Sequence, residues 1–194
     1  MKPADREGAA RAIRAFIEAL GYEKGAAELE GTPERVAAAF IDELLSGERS
    51  DLAELIASGS EALSGKPPGL VLVRDIALTT ICPHHLLPAV GKASVAYLPG
   101  ERLLGLGTVA RVVEACARRL SLQESVGENV VQALLTHGGA RGAFCKLELL
   151  HTCLSARGAE QAEARLVTLA HGGALSEASA QLLLTQALER GTSP

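Results

Sequence analysis

Two short stretches concentrate the side chains able to bind a metal or move a proton. Cys82-Pro83-His84-His85 sets a thiol and two imidazoles within four residues, and the ends of a Cys-x-x-His segment can share one tetrahedral zinc. His151-Thr152-Cys153 supplies a further imidazole and thiol. Placed on a strand, where residues two apart face the same way, that pair projects to one side. Cys82, His85 and Cys153 together would leave a fourth zinc position open, the condition for a catalytic rather than a closed structural site. His84 and His151 are then left for proton transfer. Two blander readings stand beside this one. A zinc held there can be purely structural, and cysteine is among the most buried residue types in any core. Cys116 and Cys145 have no ligand-type neighbour in sequence and read as core thiols.

The elements around these stretches alternate between two periods. Ile13, Phe16, Ile17 and Leu20 fall at helical spacing before Gly21, and Thr32-Pro33 reads as a cap with proline at the first helical position, followed by Val36, Phe40 and Leu44 up to Gly47. Ser58 to Gly69 reads as a Gly/Ser/Pro-rich connector. From Leu70 the β-branched runs LVLVRDIALTTI and KASVAYLP, with a Pro99-Gly100 turn, predict antiparallel strands. Val109 to Leu120 returns to helical spacing, and Ser121 with Glu124 can open a second helix through Leu135 as a capping box. AFCKLELLHTCLSAR is read as one strand, Leu166 to Leu169 as another, and Ser176 to Leu188 as a last helix. Paired strands separated by paired helices predict an α+β fold with an antiparallel sheet. The division expected is an N-terminal helical region over 1–57 and a catalytic unit over 70–194.

The 194 residues are 47% hydrophobic and 22% charged, enough for one globular core and unlike a disordered chain. A formal net charge of −4 and five Phe/Tyr side chains argue against a nucleic-acid polymer or an anionic membrane as partner and favour a small ligand. Met1 to Arg6 carries charge with no apolar stretch of signal-peptide length behind it, so a cytoplasmic, thiol-reducing location is expected.

Four segments in the same order carry a family resemblance: TPERVAAAFIDELLSG, VRDIALTTICPHHLLPAVGKASVAYLP, GLGTVARVVEACARRLSLQE and HTCLSARG. Over about residues 30 to 172 the chain resembles GTP cyclohydrolase I, the zinc enzyme that opens pterin and folate biosynthesis. The resemblance implies a tunnelling fold assembled into a toroidal homodecamer with active sites between subunits. It also implies Zn2+ on Cys82, His85 and Cys153, and catalytic roles for His84 and His151. Gln123 and Glu124 match the pair that anchors guanine. Arg111, Arg157 and, from a neighbouring subunit, Arg35 match arginines of the triphosphate site. The implied reaction hydrolyses the guanine imidazole ring of GTP at C8, releases formate and gives 7,8-dihydroneopterin triphosphate. A buried Glu124 carboxylate would suit the paired N–H donors of guanine.

The chain departs from the family pattern in three places. Pro83 replaces the usual glutamate, fixing φ and removing a backbone donor beside His84. The family's Gly-Leu-Ser-Lys, whose last two residues contact the triphosphate, reads Gly105-Leu106-Gly107-Thr108. After Arg157-Gly158 the family's Ser/Thr-rich strand keeps only Thr168 of its hydroxyls and gains Glu160 and Glu163, with Arg165 a partial replacement by strand parity with Arg157. Loss of one charge-assisted phosphate contact costs about 1.5 to 3 kcal/mol, roughly one to two decades of affinity. The alternatives are therefore a paralogue acting on a less phosphorylated or different purine, and a silent pterin- or nucleotide-binding protein with structural zinc.

Overall fold

The computed structural model describes residues 3–23 and 25–175; the helix expected over 176–188 lies outside them. Helix α1, Arg6–Ala19, begins where the Asp5 carboxylate accepts the Gly8 N–H at 2.8 Å, satisfying an orphan donor of the first turn. Ile13 and Ile17 are partly covered, but Phe16 and Leu20, expected on the same face, are exposed. Helix α2, Thr32–Ala38, starts from Gly31 at φ +69°, so the cap is Gly31 and not Thr32. It continues through Ala39–Leu44 with wider winding, marked by the Leu45 N–H donating to the Phe40 carbonyl. Helix α3, Leu52–Ser58, is capped by Asp51. The expected connector contains a short strand, β1 at Ser60–Ala62, paired antiparallel with β4 at Arg102–Leu104.

The main sheet holds four antiparallel strands in the order β2 (Val71–Ile81), β3 (Pro88–Leu98), β5 (Gly142–His151) and β6 (Leu166–Gly173). Helices α4, Leu106–Ala117, and α5, Gln123–Thr136, lie between the strand pairs in sequence. This ββααββ order is the α+β arrangement expected of a tunnelling fold.

Alternation along the central strands explains the layering. Ala93, Val95 and Tyr97 of β3 and Ala143, Cys145, Leu147 and Leu149 of β5 share one parity and are buried with Val109, Val112, Val113 and Cys116 of α4 and Val126, Val130 and Leu134 of α5. Ile56 of α3 is fully buried in the same core, so the N-terminal helical region contributes to it. On the opposite parity, Lys146 pairs with Glu148 at 3.0 Å, while Lys92 reaches Asp75 of β2 at 3.2 Å. The strand expected to run through Arg157 ends at His151, where the chain turns into the short helix α6, Thr152–Ser155.

Candidate active site

Register brings the two chemical stretches together. Ala89, at the start of β3, lies opposite His151, at the end of β5. The hairpin loop before β3 therefore stands beside α6. The Thr152 hydroxyl donates to the Pro88 carbonyl at 2.6 Å and fixes that neighbourhood. Within the loop the Cys82 N–H donates to Leu87 O and the Leu86 N–H to Cys82 O, both at 2.9 Å. Neither bond needs a donor from Pro83, so proline fits the loop without leaving a gap in its bonding. Leu86 takes the left-handed conformation, φ +54°, that turns the loop back into β3.

Ligand atoms of Cys82, His85 and Cys153 all lie within 4.8 Å of one another. The separation between Cys82 Sγ and His85 Nδ1 is 3.7 Å. Burial, then the neighbouring Cys82 thiol, pushes the Cys153 thiol above its ordinary value, while Arg157 works in the other direction. Two thiols and an imidazole turned toward one another form a donor set that suits zinc. Cys153 arrives by the α6 turn rather than by shared strand parity with His151, which corrects the route expected from sequence.

His151 retains the core-facing parity of Leu149 and meets the N-terminus of α5, where its Nε2 lies 2.8 Å from Oε1 of Gln123. Burial lowers the His151 pKa, and the Glu124 carboxylate partly offsets this. Helix α5 begins at Gln123 with Leu122 as its cap residue, and no side chain caps it. The expected capping box is not formed: the Ser121 hydroxyl donates to Leu122 O, which leaves the Glu124 carboxylate outside any such box. The burial expected for Glu124 belongs to Gln123 instead; Glu124 is exposed on the first helical turn, where the helix dipole favours a carboxylate.

His84 is exposed, its ring 6.2 Å from that of His85 in an edge-to-face arrangement. Arg111 is exposed on α4 and folds back on its own helix, donating to Gly107 O and Thr108 Oγ1 at 3.4 Å. Arg157 is exposed just after α6. Arg35 is exposed on α2 and donates to Thr32 Oγ1 at 2.8 Å, within the N-terminal helices. Since Arg157 follows a helical turn and Arg165 stands just before β6, the strand parity expected to relate them does not exist. Thr152 was not singled out by sequence reasoning; its only signal was a hydroxyl between two ligand-type residues.

The GTP cyclohydrolase I family pattern matches residues 9–187. A GTP cyclohydrolase 1 of Bifidobacterium longum is 38% identical over 172 residues, covering 88% of this chain and 84% of the relative. One of Leifsonia xyli is 36% identical over 184 residues, covering 91% and 92%. Among solved structures, an archaeosine synthase QueF-Like in the apo form aligns with TM-score 0.45 and 15% identity over 57% of this chain and all of that one. A family match over residues 9–187, with relatives 36–38% identical over most of their length, places this chain in the GTP cyclohydrolase I family.

Proposed function

We propose that the protein is a zinc-dependent GTP cyclohydrolase I that hydrolyses the guanine imidazole ring of GTP at C8, releasing formate and giving 7,8-dihydroneopterin triphosphate. The observation that carries this reading is the convergence of Cys82, His85 and Cys153 within 4.8 Å, in a family member whose β5 delivers His151 to the neighbouring helix terminus. Bound zinc supplies Lewis acidity and activation of water at neutral pH. Cys82, His85 and Cys153 hold it. His84 and His151 move protons as the C8–N bond opens and formate leaves. Glu124 accepts the paired N–H donors of guanine, and Arg111, Arg157 and a neighbouring subunit's Arg35 neutralise the triphosphate.

A toroidal homodecamer is part of the proposal. Among the described residues, the outer strands of the main sheet, β2 and β6, pair with no further strand along their outer edges apart from one bridge between Ile81 and Leu120, and Phe16, Leu20 and Tyr22 are each about 60% exposed. Such edges and apolar side chains are what subunit contacts cover. Among the described residues no helix is long and apolar enough to cross a membrane.

One observation favours a second reading, a relative with the same ring-opening chemistry on a less phosphorylated purine. Where the family pattern has serine and lysine, Gly107 offers no side chain and the Thr108 hydroxyl is engaged within the chain. Incubation of zinc-loaded protein with GTP, GDP, GMP and guanosine, following formate and dihydropterin absorbance, separates the two. Highest kcat/KM for GTP supports the proposal; preference for fewer phosphates supports the alternative, and no turnover by fully metallated protein contradicts both.

A further inference from the structure

Gln123 is buried to 2% exposure, and its carboxamide is fully engaged within the chain. Nε2 lies 3.2 Å from Leu147 O, 3.0 Å from Leu166 O and 3.1 Å from Thr168 Oγ1, while Oε1 lies 2.8 Å from His151 Nε2. Backbone carbonyls only accept, so the amide nitrogen must be the atom facing Leu147 and Leu166. The flipped amide would press Oε1 against two carbonyl oxygens and leave buried groups unpaired. With the amide orientation decided, Oε1 is an acceptor, and the imidazole nitrogen opposite it must carry a hydrogen.

From this geometry we infer that Gln123 is a positioning residue for His151: it holds the ring with Nε2–H donated to Oε1 and leaves Nδ1 as the nitrogen that meets the substrate. Among the described residues, the ring makes its hydrogen bond through Nε2 alone. Leu147 and Thr168 are register partners across β5 and β6, so one carboxamide ties the α5 terminus to both strands and to the histidine that ends β5. The same engagement occupies the side chain that family resemblance assigns to guanine, and purine recognition by this pair falls to the exposed Glu124. The effect on turnover rests on the ring-opening reading above; the position of the ring hydrogen does not.

The test is a long-range proton–nitrogen NMR spectrum of the 15N-labelled, zinc-loaded full chain, with His151 identified by its absence in His151→Asn, joined to the kinetics of formate release from GTP. The expected wild-type pattern is a neutral ring protonated at Nε2. Gln123→Leu removes the acceptor, and the expected results are a mixed ring pattern and a kcat lower by about 10- to 100-fold, with KM changed by less than about threefold. A wild-type ring protonated at Nδ1, or a Gln123→Leu enzyme with raised KM and unchanged kcat, would overturn the inference. If wild-type protein opens no GTP, the functional reading fails while the ring pattern still decides the position of the hydrogen.

Discussion

Thr108 donates its hydroxyl to the carbonyl of Gly59 at 2.9 Å, pinning the first turn of α4 to the junction of α3 and β1. The residue that stands in place of a phosphate-contacting lysine has thus become a structural fastener. A Cβ on Gly59 would collide with that hydroxyl, so glycine and threonine fit as a pair. Gly59 O also accepts from the Gly105 N–H, so Thr108→Val leaves it with a partner. The expected cost is about 1 kcal/mol, the net worth of one hydrogen bond, read as a lower urea midpoint at unchanged slope. An unchanged midpoint would show that the fastening contributes nothing.

Gly107 differs from its neighbour. A Cβ there would meet nothing within 4 Å, and its backbone is helical. Gly107→Ser therefore returns a hydroxyl to the α4 terminus without strain, and replacing glycine in a helix does not oppose it. One added phosphate contact of about 1.5 kcal/mol would lower the KM for GTP by about tenfold at similar kcat. Unchanged KM would mean that the triphosphate does not pass this terminus.

The parts of this arrangement legible in the sequence are those governed by periodicity. Strand alternation in β5 correctly sends Cys145, Leu147, Leu149 and His151 to the helix-covered side. The same rule fails two residues later, because the chain leaves the sheet at His151 and Cys153 is delivered by a helical turn held through Thr152 and Pro88. A single-residue hydrogen bond to a distant carbonyl leaves no periodic trace. Likewise Ser121 and Glu124 have capping-box spacing, yet the cap falls one residue later, on Leu122, and α5 buries Gln123. Competition between local capping and tertiary bonding to β5 and β6 decides that boundary, and only the second partner knows it.

The four thiols divide by environment. Burial pushes Cys145 up to about 12 and Cys116 up to about 11; as protonated, enclosed thiols both should resist alkylation in the native protein at pH 8. After chelation the partly exposed Cys153 should react first and the more covered Cys82 more slowly, and zinc should protect both. Mass spectrometry of alkylated peptides checks this, and early labelling of Cys145 would contradict it. Cys153→Ala should lower zinc content, whereas His151→Ala should keep zinc and lose ring opening. Full zinc occupancy in Cys153→Ala would sink the three-ligand site.

Burial lowers the His151 pKa below its ordinary 6.5. Between the two values the unfolded chain binds more proton than the folded one, so this histidine's contribution to stability is complete above about pH 6.5 and is lost as pH falls through the folded pKa. In metal-free protein, stability should therefore fall less steeply below pH 6.5 for His151→Asn than for wild type. Glu124→Gln, which removes the charge favouring the protonated ring, should steepen the loss. Parallel urea midpoints from pH 7.5 to 5 give the comparison; identical slopes in wild type and His151→Asn would contradict the burial of a neutral ring.

The most direct measurement is formate release from GTP while metal-free protein is titrated with zinc. Release should rise with added zinc and level off at one equivalent per chain, with Cys153→Ala remaining low across the same range. Release that persists after chelation, or none at full zinc occupancy, would contradict zinc-dependent ring opening at the Cys82, His85 and Cys153 site.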